Sequence, residues 1–186
     1  MFFRAIGSAS ETDMLSEHID GLYSYALALS RNRVNAEDLV QETYVRAIPA
    51  LGRLPKQSNI KSWMFTILRN IWLNQLRQPR VAVPMPGTDL DQFPASELHA
   101  PGAKDPHSLL LTSLDQDQVR QAISRLPVES REIILLREFE DLSYQEIAAV
   151  LKCPIGTVMS RLGRARSKLR ELLSSTLAGG SCGKQS

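Results

Sequence analysis

Cysteine is scarce in this 186-residue chain, and the two present, Cys153 and Cys182, have no companions at metal-ligand spacing. His18, His99 and His107 are scattered. That pattern argues against a zinc site or a disulfide framework, so no metal and no other cofactor is expected. No phosphate loop and no nucleophile with its base stands out, and catalysis is not expected. No apolar run approaches the roughly 20 residues that span a bilayer. The opening MFFRAIGSASETD has too short an apolar core for a signal peptide, so the expected location is cytoplasmic. Charge of neither sign dominates: a net +2 is too small to mark a protein that coats nucleic acid. Strand patterns are missing as well, and the expected class is all-α.

What is present is a lopsided distribution of charge and proline. Arg31 to Arg80 carries nine basic and three acidic side chains, and the stretch from there to Val119 carries six acidic residues against Lys104 alone. Six of the ten prolines fall between Pro79 and Pro106. Proline removes helix donors and biases its predecessor toward extended geometry, so this stretch reads as a flexible acidic linker. The expected organisation is therefore two small helical domains, 1–80 and 108–186, joined by a linker at 81–107. With some 75 residues each, both would be marginal alone.

The most specific local signal runs from Leu142 to Leu173. Ser143 stands three residues before Glu146, a capping box that starts one helix, with Ile147, Ala148, Val150 and Leu151 on its apolar side. A turn is expected at Lys152 to Gly156, with Pro154 at the first position of a second helix and Gly156 allowing close helix approach. Cys153 in that turn reads as a small buried hydrophobe. Val158, Leu162, Ala165, Leu169 and Leu172 then recur at helical spacing and face inward, leaving Thr157, Ser160, Arg164, Ser167 and Lys168 outward. Five of the six basic residues between Ser143 and Leu173 lie on this second helix, against two glutamates in all. The order is that of a helix-turn-helix, whose second helix reaches base edges with its first turns and phosphates with the rest. An ordinary bundle with a solvated basic face would show similar spacing, but not the cap, turn and charge bias together.

In the first half, Asp13 to Ser30 patterns as a buried helix, and Asn35 is the expected cap of a second helix, AEDLVQETYVRAIPAL. That helix carries Asp38, Gln41, Glu42 and Arg46 as a polar strip at three- and four-residue spacing. A third helix from about Asn59 to Arg77 mixes aromatics and cations: Lys61, Trp63, Phe65, Arg69, Trp72 and Arg77, with Asn70 and Asn74 one turn apart. Rings beside cations suit single-stranded nucleic acid, although Trp63, Phe65, Ile67, Ile71 and Trp72 also suit a core. Helices at 108–125 and from Val128 to Glu138 complete the second bundle.

AEDLVQETYVRA at Ala36–Ala47, IKSWMFTILRNIWLNQLRQPR at Ile60–Arg80, RLPVESREIILLREFEDLSYQEIA at Arg125–Ala148 and CPIGTVMSRLGRAR at Cys153–Arg166 together resemble a bacterial extracytoplasmic-function (ECF) sigma factor. The resemblance implies two conserved sigma regions, the second and the fourth, and a non-enzymatic role in directing core RNA polymerase to promoters. It implies that Asp38, Gln41, Glu42 and Arg46 meet the clamp helices of the largest polymerase subunit. Lys61, Trp63, Arg69, Asn70, Asn74 and Arg77 would capture the melted minus-ten strand. Thr157, Ser160, Arg161, Arg164 and Lys168 would contact the minus-thirty-five element, with the polymerase flap as a further partner. Relatives are commonly held by an anti-sigma factor, often membrane-anchored. Met159 and Gly163 depart from the family, where a basic and a bulkier residue are common. Two other readings of the same helix-turn-helix stay open at this level: a dimeric regulator of a palindromic site, and a protein-interaction module that never touches DNA.

Overall fold

The computed structural model describes residues 15–55, 57–77 and 118–179, with side chains as far as 174. The expected linker, residues 108–117 and Cys182 lie outside the described residues. Every regular element among those described is helical.

α1 (Ile19–Ser30) is shorter than the pattern from Asp13 suggests, because a turn closed by His18 N–H on the Leu15 carbonyl, 3.2 Å, precedes it. It ends where Arg31 adopts φ 53° and returns its N–H to Leu27. α2 (Arg33–Leu51) is capped by Asn32, not by Asn35. The extended Asn32 places its side-chain oxygen 3.0 Å from the Asn35 N–H, so Asn35 is the donor that the cap satisfies. α3 (Ile60–Arg77) buries Met64, Phe65, Leu68 and Ile71, and the Phe65 ring meets Tyr25 of α1 edge-on at 5.1 Å.

In the second half, α4 (118–125) leads into α5 (Val128–Ile134), which continues as a π turn over Leu135–Phe139. The wider turn, closed by Glu140 N–H on Leu135, ends the helix so that Leu135 and Leu136 stay buried while Glu140 lies over α1. α6 (Tyr144–Leu151) and α7 (Ile155–Gly179) follow.

The two halves share one core. Leu22, Tyr25, Leu39, Phe65 and Leu68 of the first half and Ile123, Leu126, Ile133, Ile147, Val158 and Leu162 of the second belong to one contiguous buried cluster. α1 packs on α5 and the π turn, and α3 packs on α6. Arg131, fully buried on α5, ties the junction. Its guanidinium donates to the carbonyls of Ile123, Ser124 and Leu126 in its own half and to Ala28 of α1 at 2.6 Å. Burial, with Arg31 nearby, lowers its pKa to about 10, so it remains a cation at neutral pH.

Candidate nucleic-acid interface

The helix-turn-helix is built as its local sequence dictates. Ser143 Oγ accepts from Glu146 N–H while the Glu146 carboxylate accepts from Ser143 N–H at 2.7 Å, closing both halves of the capping box. α6 stops at Lys152, whose φ of 53° turns the chain. Pro154 is the cap of α7 and not its first residue: its carbonyl accepts from Thr157 and Val158 N–H. Gly156 does not serve a close approach, since a Cβ there would meet nothing within 4 Å. Cys153 is half-buried and packs against the core. Val158, Leu162 and Ala165 are buried, and Leu169 and Leu172 partly so.

The opposite face of α7 presents Ser160, Arg164 and Lys168 to solvent, with Thr157 and Arg161 half-buried beside them. Arg161 and Arg164 flank a cleft of about 350 Å³ completed by Glu129 and Ser130 at the start of α5. Lys168 pairs with Glu171 at 3.1 Å. Arg166 is committed elsewhere: two of its nitrogens donate to one oxygen of Glu138, at 2.6 and 2.9 Å, which raises its pKa further. Met159 stands 56% exposed at the start of this face, an apolar surface that can meet a thymine methyl but not a phosphate.

On α2, the Glu42 carboxylate holds the Arg46 Nε at 2.7 Å, and Asp38, Gln41, Glu42, Val45 and Arg46 line one wall of a groove of about 440 Å³. Its other wall is Ile71, Asn74 and Gln75 of α3. Asn74, expected beside the minus-ten strand, therefore shares a surface with the strip expected to meet polymerase.

The rest of the α3 set divides by helical phase. Trp63, Asn70, Asn74 and Arg77, spaced by seven, four and three residues, share one side of the helix. Lys61 and Arg69 point to the second half of the chain. Arg69 Nε lies 2.6 Å from Glu132, which also accepts the Tyr25 hydroxyl at 2.6 Å. Burial opposes the Arg69 charge, but Glu132 more than offsets it and raises the pKa. Burial and the same carboxylate push the Tyr25 phenol well above its ordinary value. Lys61 Nζ meets the Glu140 carbonyl at 2.7 Å and its carboxylate at 2.8 Å. The Asn59 amide donates to Glu146. Sequence reasoning missed Glu132, Glu140, Glu146 and Asn59 as members of this junction. No local signal could have found them, because the pairs are 63 to 107 positions apart.

Residues 14–80 match the family description of sigma-70 region 2, and residues 116–169 match that of sigma-70 region 4. The class is thus a two-region sigma-70 protein. The ECF RNA polymerase sigma factor EcfG of Rhodopseudomonas palustris is 36% identical over 166 residues, covering 87% of this chain and 86% of EcfG. The ECF RNA polymerase sigma-E factor of Escherichia coli K12 is 36% identical over 140 residues, 71% of this chain and 70% of that one. The sigma factor RpoE, solved in complex with the anti-sigma factor NepR from Bartonella quintana, superposes with a TM-score of 0.63 at 30% identity, covering 89% of this chain and 97% of RpoE. CnrH, solved with the cytosolic domain of CnrY, shares the fold with a TM-score of 0.60 at 24% identity, over 91% of each chain. The chain belongs to the ECF group of the sigma-70 family. No helix among the described residues is long and apolar enough to cross a membrane.

Proposed function

We propose that this sigma factor divides its work as the two faces suggest, with a domain of residues 1–80 that binds core polymerase and the minus-ten strand, a tether at 81–107, and a domain of 108–186 that reads the minus-thirty-five element. The observation that carries this reading is the outward face of α7: Thr157, Ser160, Arg161 and Arg164 sit on the first turns of the recognition helix, with Lys168 placed for a phosphate. The exposed strip of Asp38, Gln41, Glu42 and Arg46 beside the α2–α3 groove supports contact with the clamp helices of the largest polymerase subunit, and region 4 with the flap. Trp63, Asn70 and Arg77, with Lys61 and Arg69 when released, form the surface for the melted strand, where one base can stack or flip at a cost of about a few kcal/mol.

The protein does no chemistry of its own and works in the cytoplasm, initiating transcription of a stress or envelope-response regulon. Likeness to a sigma factor solved with NepR supports an anti-sigma partner here too, and a membrane-anchored one would tether the pair at the inner membrane.

Run-off transcription with purified core polymerase tests the assignment. Initiation should depend on this protein and fail when Asp38 and Glu42 are both replaced by Lys. Arg161→Ala with Arg164→Ala should lower the logarithmic salt slope of promoter binding by about 2. Unchanged initiation in the Asp38/Glu42 variant would remove the α2 strip from the polymerase interface.

A further inference from the structure

We infer that Met159 reads a thymine of the minus-thirty-five element by packing against its C5 methyl, so that this chain selects one base pair by apolar contact instead of hydrogen bonding. The inference rests on the reading of α7 as the base-contacting helix, and it adds to Thr157, Ser160, Arg161 and Arg164 a residue of different chemistry.

The outward face of α7 has two unlike edges. At about 100° per residue, Arg161 and Arg164 fall on one edge and Ile155, Met159 and Gly163 on the other, with Ser160 and Ser167 between them. The first edge is cationic and borders the cleft with Glu129 and Ser130. The second is uncharged over its first turns: Ile155 is 43% and Met159 56% exposed, one turn apart and outside the buried core. Arg166 enters that edge only beyond Gly163, and Glu138 already holds it at 2.6 Å. A Cβ on Gly163 would meet nothing within 4 Å, so no neighbour closes off the space one turn after Met159.

This edge fits one chemistry in the major groove. Among the hydrogen-bonding groups that the four bases present there, the C5 methyl of thymine is the one apolar projection. A thioether is a weak acceptor with no proton to donate, so Met159 cannot pair with a guanine or adenine edge as a guanidinium or an amide does. Its unbranched chain adapts to the position of a methyl on the groove floor. Beside it the Ser160 hydroxyl donates to the Thr157 carbonyl of its own helix at 3.0 Å, which leaves the methionine with the longer reach on this side of α7.

Selection followed by removal of one methyl group tests the inference. Core polymerase loaded with the full chain is presented with promoters randomised through the minus-thirty-five region, and the recovered sequences give the preferred element. That element should hold a thymine, on either strand, whose replacement by deoxyuridine weakens holoenzyme binding about fourfold, the worth of one buried methyl group. Met159→Ala holoenzyme should bind the thymine and deoxyuridine duplexes alike, whereas Met159→Leu should keep the difference. Met159→Arg should exchange the selected thymine for guanine when the selection is repeated. Met159 is exposed, so these variants leave the core intact.

An element in which no deoxyuridine replacement weakens binding overturns the inference, as does a methyl effect that Met159→Ala leaves unchanged. Either result leaves the wider reading of α7 standing. That reading fails separately, and takes the inference with it, if the wild-type holoenzyme selects no base in this region.

Discussion

At the scale of single residues, two positions that look alike in sequence differ in what surrounds them. Gly21 and Gly163 both interrupt helices, but Gly21 lies under Glu140, whereas a Cβ on Gly163 would meet nothing within 4 Å. Gly163→Ala should therefore stabilise the fold by about 1 kcal/mol, the ordinary helix-propensity difference, read from urea denaturation. No gain would mean that α7 is already held rigid by its contacts. Ser24 offers a second gain. Its hydroxyl is buried on α1 without a hydrogen-bond partner, and Ser24→Ala should raise the denaturation midpoint by an amount equivalent to about 1 kcal/mol. A lower midpoint would reveal a partner that the hydroxyl loses. The sequence displayed both glycines and the serine but not their surroundings, since neighbours of a helix residue come from other elements.

At the scale of the element, α6 is both the first helix of the DNA-reading motif and a wall of the junction. Its cap was legible from Ser143 and Glu146 alone, because both partners lie within one turn. The cap of α2 was misplaced by three residues, since Asn32 and Asn35 are chemically equivalent and only the backbone at Asn32 is extended. Glu146 gives α6 a pH dependence. Burial raises its pKa, but hydrogen bonds from the Ser143 hydroxyl and N–H and from Asn59, with the charge of Lys61, lower it more, leaving it below the usual 4.5. A depressed carboxylate pKa contributes stability that is present above the unfolded value and lost as pH falls through the folded one. Stability should therefore fall as the pH drops below the usual carboxylate range, and Glu146→Gln should flatten that part of the profile. A variant with an unchanged acid limb would assign the loss to other carboxylates.

At the scale of the whole molecule, the decisive unit is the Tyr25–Glu132–Arg69 triad, which joins α1, α3 and α5. Glu132→Leu strands a buried phenol and a half-buried guanidinium and should cost about 3 kcal/mol, whereas adding Arg69→Met and Tyr25→Phe should recover most of it, because apolar groups of similar volume need no partners. Chemical denaturation of the single and triple variants measures the coupling, and a purely additive result would mean that the three groups act independently. The sequence by itself determined the all-helical class, the capping box, the charged outer face of α7 and the polar strip of α2, because each depends on spacings within a few turns of one helix. Only the tertiary structure decided that the halves share one core, that Arg131 reaches Ala28, and that Lys61 and Arg69 face glutamates instead of solvent. Those contacts join residues far apart in the chain, and a charge carries no mark in the sequence of which distant opposite charge will hold it.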